Sequence, residues 1–268
     1  MYTYESLVWE LKSERAWSAG KSVWGRELFC YTVGEGDKKL FLNGAHHGLE
    51  YITSKICVDF GNYIKNDTFG WKIFIMPMVN PDGVTAAQGL LPRNTETYDR
   101  LRRLNRWDDL HRTWQSNANG IDLNHNYDAK FHQLWERGPT RCSGPYPESE
   151  PETKAVAGLV RRERFDMVIC LHSQGEVIYQ GFDNYLPPIS GEIAAKIAEI
   201  SGYAIDEPEE AASFGGLKDW FVDKFDKPGF TIEVGRGTNP IAEECIPDIE
   251  NRLFPALKGA LLTYNDNL

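Results

Sequence analysis

Cysteine is sparse and unpatterned in this sequence. Five residues (Cys30, Cys57, Cys142, Cys170 and Cys245) are scattered along 268 positions, with an odd total and no Cys-x-x-Cys spacing. That excludes a Cys-rich zinc motif and argues against a disulfide framework. Cys57 and Cys170 lie inside apolar runs and read as small core residues. No apolar stretch approaches the roughly 18 residues a membrane span needs. The first residues, Met1-Tyr2-Thr3-Tyr4-Glu5-Ser6, lack the basic-then-apolar order of a secretory signal. These absences point to a cytoplasmic chain. Positive charge is scarce too: 29 Lys and Arg stand against 39 Asp and Glu, a net charge of −10. Nucleic acid and anionic membranes are therefore poor partners, since both select clustered cations. The short clusters at Arg100, Arg102, Arg103 and Arg106 and at Arg161, Arg162 and Arg164 read as solvated faces. No internal repeat, low-complexity tract or Gly/Ser/Pro linker divides the chain, so one domain over 1–268 is expected.

What remains is an ordinary globular composition, 41% hydrophobic and 25% charged, able to bury a metal site. Runs rich in β-branched and aromatic residues occur at 27–33, 39–43, 71–79, 165–172 and 229–234. Three of these are almost continuously apolar, as strands covered on both faces are. Helical spacing follows at 49–65, and further helices are predicted at 149–164, 188–201, 216–225 and 246–264. The segment Ser149-Glu150-Pro151-Glu152 reads as a Ser N-cap, an early Pro and a Glu at the third helical position. Alternating strands and helices imply an α/β fold with helices on both faces of a parallel or mixed sheet. The long connection 81–126 is polar and weakly periodic, which predicts a functional segment or irregular helices.

Ligands of open α/β sheets collect at the carboxyl ends of the strands, and here those ends carry chemistry. His47 and Glu50, three apart at a predicted strand-to-helix junction, can face one point. His172 closes the run 167–171. Two His and one carboxylate are the donor set of a catalytic zinc site that keeps a position open for water. His46 points the other way in an extended segment. Glu233, in Phe230-Thr231-Ile232-Glu233-Val234-Gly235, ends another apolar run, where a carboxylate is costly unless it is paired or sits beside a metal. It reads as a general base. Glu176 is the rival, placed beyond its strand end where an exposed Glu needs no explanation.

With these residues in place, the chain resembles the zinc carboxypeptidase family over about 38–240, most closely its γ-D-glutamyl–diaminopimelate peptidase and murein peptide amidase branch. The matching motifs, in order, are His47-Gly48-Leu49-Glu50, the turn Asn80-Pro81-Asp82-Gly83, Gly120-Ile121-Asp122-Leu123-Asn124, Leu171-His172-Ser173 and Thr231-Ile232-Glu233. The run Pro147-Glu148-Ser149-Glu150-Pro151-Glu152-Thr153 also fits that branch. The resemblance implies a mixed, roughly eight-stranded sheet and one zinc ion. It also implies a small peptide as substrate, cut at an amide, with Asn124, His125 and Gln115 contacting it. Two positions depart from the family pattern. His125 stands where an Arg usually clamps a terminal carboxylate. Gln115 stands where Arg or Lys usually supplies the oxyanion donor, which leaves Arg103, Arg106 and Arg236 as substitutes. The family's Tyr near Ser213-Phe214-Gly215-Gly216 is not evident. Two other readings follow: an N-acyl amino-acid deacylase of aspartoacylase type, and a catalytically weak zinc protein that binds peptides.

Overall fold

The computed structural model describes residues 1–133, 136–207 and 214–267. Eight strands make one mixed sheet: β1 (Trp17–Lys21), β2 (Glu27–Val33), β3 (Lys38–Gly44), β4 (Trp71–Met76), β5 (Met167–His172), β6 (Val177–Gln180), β7 (Ala204–Asp206) and β8 (Gly229–Glu233). Their order across the sheet is β1-β2-β4-β3-β5-β8-β6-β7. The four central strands, β4, β3, β5 and β8, run parallel, and β2 and β6 flank them antiparallel. The expected α/β fold with a mixed eight-stranded sheet is therefore found. The helices are α1 (Tyr4–Glu10), α2 (Ile52–Ile64), α3 (Pro81–Ala87), α4 (Glu96–Leu104), α5 (Leu110–Thr113), α6 (Pro151–Glu163), α7 (Ser190–Ser201), α8 (Leu217–Phe225) and α9 (Ile246–Asp266). Among the described residues, no helix is long and apolar enough to cross a membrane.

The near-continuous apolar runs become strands buried on both faces because alternate side chains enter two different cores. Leu40, Leu42, Ile73, Ile75, Ile169 and Leu171 share one core with residues of α2, α7 and α9. Their neighbours Phe41, Phe74, Met76, Val168 and Cys170 join a second core with α6 and α8.

Three local expectations need correction. The Asn80-Pro81-Asp82-Gly83 segment is the start of α3 rather than a free turn: Asn80 Oδ1 caps the helix by accepting from the Gly83 N–H at 2.8 Å. Helix α6 starts one residue later than expected, with Glu150 as N-cap and no side-chain cap bond. Asn126 displaces Ser149 from that task, its Oδ1 accepting from the Glu150 N–H at 3.2 Å and from the Thr153 hydroxyl at 2.5 Å. Glu176 is buried rather than exposed, and it pairs with Arg252 (2.5 Å) and Arg236 (2.6 Å).

Candidate metal centre

Parallel strands deliver their carboxyl ends to one edge of the sheet. His47 follows β3, Asn80 follows β4, His172 ends β5 and Glu233 ends β8. His172 and Glu233 are register partners across the β5–β8 pair, so they lie side by side. After β3 the chain makes a short 3-10 turn, Gly48–Glu50, that turns His47 and Glu50 toward the same point. Only glycine fits at position 48: a Cβ there would lie 2.4 Å from the Gly83 carbonyl oxygen. Asn80 locks the same region, its Nδ2 donating to the carbonyls of His46 (3.0 Å) and Gln115 (3.1 Å), while the Gly48 N–H donates to the Gln115 carbonyl at 2.9 Å.

Within this frame Glu50 sits between two imidazoles. Its Oε1 lies 2.8 Å from His47 Nδ1 and its Oε2 lies 2.9 Å from His172 Nδ1. One ligand atom from each of the three residues falls within 4.8 Å of the others. His46 turns away, as expected, with its Nε2 3.1 Å from the Tyr127 hydroxyl. The other ring nitrogen of His47, Nε2, meets Asp122 Oδ1 at 3.1 Å. The sequence reading left Asp122 inside a motif without a task. Its one signal was an acid flanked by the apolar Ile121 and Leu123, a costly place for a charge unless something needs it.

Burial alone would disfavour the His47 imidazolium, but Glu50 and Asp122 on its two sides raise its pKa well above the ordinary value. Burial would also favour neutral Glu50 and neutral Asp122; His47 outweighs it at both, assisted by His172 at Glu50, and both carboxyls stay well below their usual range. Glu233 goes the other way: burial, then the neighbouring Glu50 charge, push its carboxyl well above 4.5. Two imidazole nitrogens around a held carboxylate, with a second carboxylate behind one ring, match the donor chemistry of a catalytic zinc site and its outer support.

The residues expected around a substrate separate into two groups. Asn124 and His125 lie on a 3-10 turn, Leu123–His125, capped by Asp122 Oδ1. Asn124 Oδ1 accepts from the Leu217 N–H at 3.3 Å, and His125 Nδ1 is 2.8 Å from the Phe214 carbonyl. Gln115 is held by other partners, its Oε1 accepting from the Thr140 hydroxyl. Of the three arginines considered as cationic donors, Arg236 is engaged by Glu176 and Arg106 by Glu136. Arg103 is exposed on α4. Phe214 to Gly216 are described and contain no Tyr, whereas Ser213 lies outside the described residues.

Comparison with known proteins agrees with this geometry. The zinc carboxypeptidase family profile matches residues 7–254. A γ-D-glutamyl-L-diamino acid endopeptidase 1 of Lysinibacillus sphaericus is 34% identical over 243 residues, covering 83% of this chain and 61% of that protein. The chain thus spans less than two thirds of that relative. Among solved structures, bovine thrombin-activatable fibrinolysis inhibitor superposes with a TM-score of 0.75 at 20% identity, covering 98% of this chain and 95% of that one. The murein-tripeptide amidase MpaA of Escherichia coli O157 superposes with a TM-score of 0.61 at 20% identity, covering 92% and 91%. At such identities the structural matches speak for the fold alone.

Proposed function

The chain belongs to the zinc carboxypeptidase family, and from that premise we propose that it is a zinc-dependent peptidase hydrolysing the γ-D-glutamyl–diamino-acid bond of small murein peptides. The observation that carries this reading is the convergence of His47 Nδ1, Glu50 and His172 Nδ1 at the carboxyl ends of β3 and β5, with Glu233 beside them on β8. His47, Glu50 and His172 are the residues that would hold one zinc ion. Zinc bound there would polarise the scissile carbonyl and acidify the attacking water.

The chain's own groups then divide the work. Asp122 fixes the tautomer and ring orientation of His47 through Nε2. The Glu233 carboxylate takes the proton of the attacking water and hands it to the leaving amine. Gln115, tied by Thr140 through its oxygen, offers its amide N–H toward the developing oxyanion. Asn124 holds its oxygen to the Leu217 N–H and keeps its amide nitrogen for the substrate. His125 donates Nδ1–H to the Phe214 carbonyl, which leaves one ring nitrogen, Nε2, and no fork for the substrate. A residue so committed clamps a terminal carboxylate poorly, which favours an unusual small peptide over ordinary carboxyl-terminal trimming. The relative that acts, by its name, on γ-D-glutamyl-diamino acids supports the same direction. All five cysteines are free, which suits a cytoplasmic protein, and we read 1–268 as one peptidase unit.

The test is direct. Zinc-loaded protein incubated with a γ-D-glutamyl-diaminopimelate dipeptide should release diaminopimelate. Glu233→Gln should lose about 10²–10⁴ in kcat while metal analysis still finds one zinc per chain. A fully active Glu233→Gln would overturn the assignment of the base. Release of acyl groups from N-acyl amino acids, with no peptide cleavage, would favour a deacylase instead.

A further inference from the structure

A cleft of about 860 Å³ is lined in part by Thr140 and Arg141, two residues that contact Gln115 and Asp122. Its walls include Arg106, Trp107, Arg137, Thr140 and Arg141, a cationic lining on a chain whose net charge is −10. Two acids, Asp108 and Glu136, share the lining with three arginines. Glu136 pairs with Arg106 at 2.8 Å, and Asp108 Oδ1 accepts from the Asp109 N–H at 2.7 Å. Among the described residues, the Arg137 guanidinium reaches the Asn119 carbonyl, at 3.5 Å, and no carboxylate. Arg141 is exposed, and no carboxylate among the described residues pairs with its guanidinium. Two forks are therefore left facing an open cleft.

The wall that carries Arg141 is also part of the metal centre's support. The Arg141 N–H donates to Asp122 Oδ2 at 2.9 Å, and the Thr140 hydroxyl lies 3.3 Å from the same oxygen while donating to Gln115. Arg106, Trp107 and Arg141 all hold positive φ (53°, 66° and 64°). Non-glycine residues rarely adopt that conformation, and it persists where the surroundings enforce it, often at ligand sites. Asp122 thus anchors His47 on one side and orients a guanidinium-bearing wall on the other. Asn124 and His125 are held instead by the Leu217 N–H and the Phe214 carbonyl.

We propose that this cleft binds the free α-carboxylate of a γ-linked glutamyl residue on the acyl side of the scissile bond, held by Arg137 and Arg141. The proposal rests on the γ-glutamyl reading above. An amide made through the glutamyl side chain leaves the α-carboxylate free, two methylenes and the α-carbon away from the scissile carbonyl. An α-linked residue without an acidic side chain has no charge there. A guanidinium fork recognises a carboxylate in two hydrogen bonds, so the cleft would select a γ-linked glutamyl residue over α-linked residues without a side-chain carboxylate.

Two substrates test it: γ-D-glutamyl-diaminopimelate and the same dipeptide with the glutamyl α-carboxylate converted to a carboxamide. Wild-type zinc enzyme should prefer the acid by about tenfold to a hundredfold in kcat/KM, chiefly through KM. In the Arg137→Gln/Arg141→Gln double variant, with unchanged melting temperature and zinc content, the acid-to-amide ratio should fall toward unity, and Arg141→Lys should keep part of it. An unaltered ratio in the double variant, or equal cleavage of both dipeptides by the wild type, overturns the cleft's role while leaving the γ-glutamyl reading standing. Release from neither dipeptide by the wild type overturns that reading and the proposal with it.

Discussion

Each ring nitrogen of His47 faces a carboxylate, Glu50 on one side and Asp122 on the other, and this double contact ties metal affinity to a residue that is not a ligand. In Asp122→Asn the neutral amide still accepts from Nε2 but no longer strengthens the ring's basicity. Zinc affinity should fall about 10–100-fold, read by competition with a chromogenic chelator, with the fold retained. His47 and His172 were legible as candidate ligands because each follows or ends a strand-like run. Asp122 was not, because its partner lies 75 positions away and only the folded chain names it. Glu233 makes a second prediction at this scale. Its carboxyl is raised by burial and by Glu50, and it must be ionised to accept a proton. Activity should therefore fall as pH drops through the raised pKa and recover as pH rises. A cation in the site moves that limb to lower pH without reversing it. The acid limb of kcat/KM should disappear in Glu233→Gln; a limb that persists there belongs to another group.

Elements place these residues through backbone contacts more than through side chains. The Gly48–Glu50 turn, the first turn of α3 and the Gln115 backbone meet so closely that Gly48 and Gly83 have no room for a Cβ. Gly48→Ala should force the turn off Gly83 and cost about 1–3 kcal/mol. That is a drop of roughly 2–4 °C per kcal/mol in a chain of this size. A calorimetric scan reads the loss, and zinc titration should show weaker binding because His47 and Glu50 move with the turn. Of the five strands read in advance, β4, β5 and β8 showed themselves as continuous apolar runs because both faces are buried, whereas β2 and β3 showed themselves only by β-branched and aromatic content. The remaining three could not be read: β1 is Trp17-Ser18-Ala19-Gly20-Lys21, β7 has three exposed residues, and β6 is four residues long. Helices α3, α4 and α5 lie in the connection foreseen as irregular. Asn80 caps α3 and Thr95 caps α4, while α5 is a single turn of four residues. The motif Asn80-Pro81-Asp82-Gly83 was visible as letters, but its work, bridging the His46 and Gln115 carbonyls, belongs to tertiary packing.

Across the whole molecule, the most consequential buried charge away from the metal centre is Glu152, which is fully buried at the start of α6. Its oxygens accept from the Val23 N–H at 3.0 Å and from Asn117 Nδ2 at 3.1 Å, joining the loop after β1 to the segment that leads to Asp122. Burial, with Asp82 nearby, outweighs those bonds and pushes its carboxyl from 4.5 to about 7. The folded chain therefore binds a proton that the unfolded chain has already released between pH 4.5 and 7. The stability this provides is complete below about 4.5 and is lost as pH rises through 7, amounting to about 3 kcal/mol in all. Glu50 and Asp122 act in the opposite sense, but their folded values lie low, so they titrate on the acid side of this window. With zinc bound, the ligand imidazoles stay unprotonated in the folded chain and add a slope of the opposite sign below about pH 6.5, so the Glu152 effect is read above that pH. Melting temperature of the zinc-loaded protein should then decline from about pH 6.5 to pH 8. In Glu152→Gln the slope should flatten whatever the absolute melting temperature, because the group that released the proton is gone. An equal slope in that variant would place the pH dependence elsewhere, with Glu250 beside Asp59, also raised to about 7, as the next group to replace.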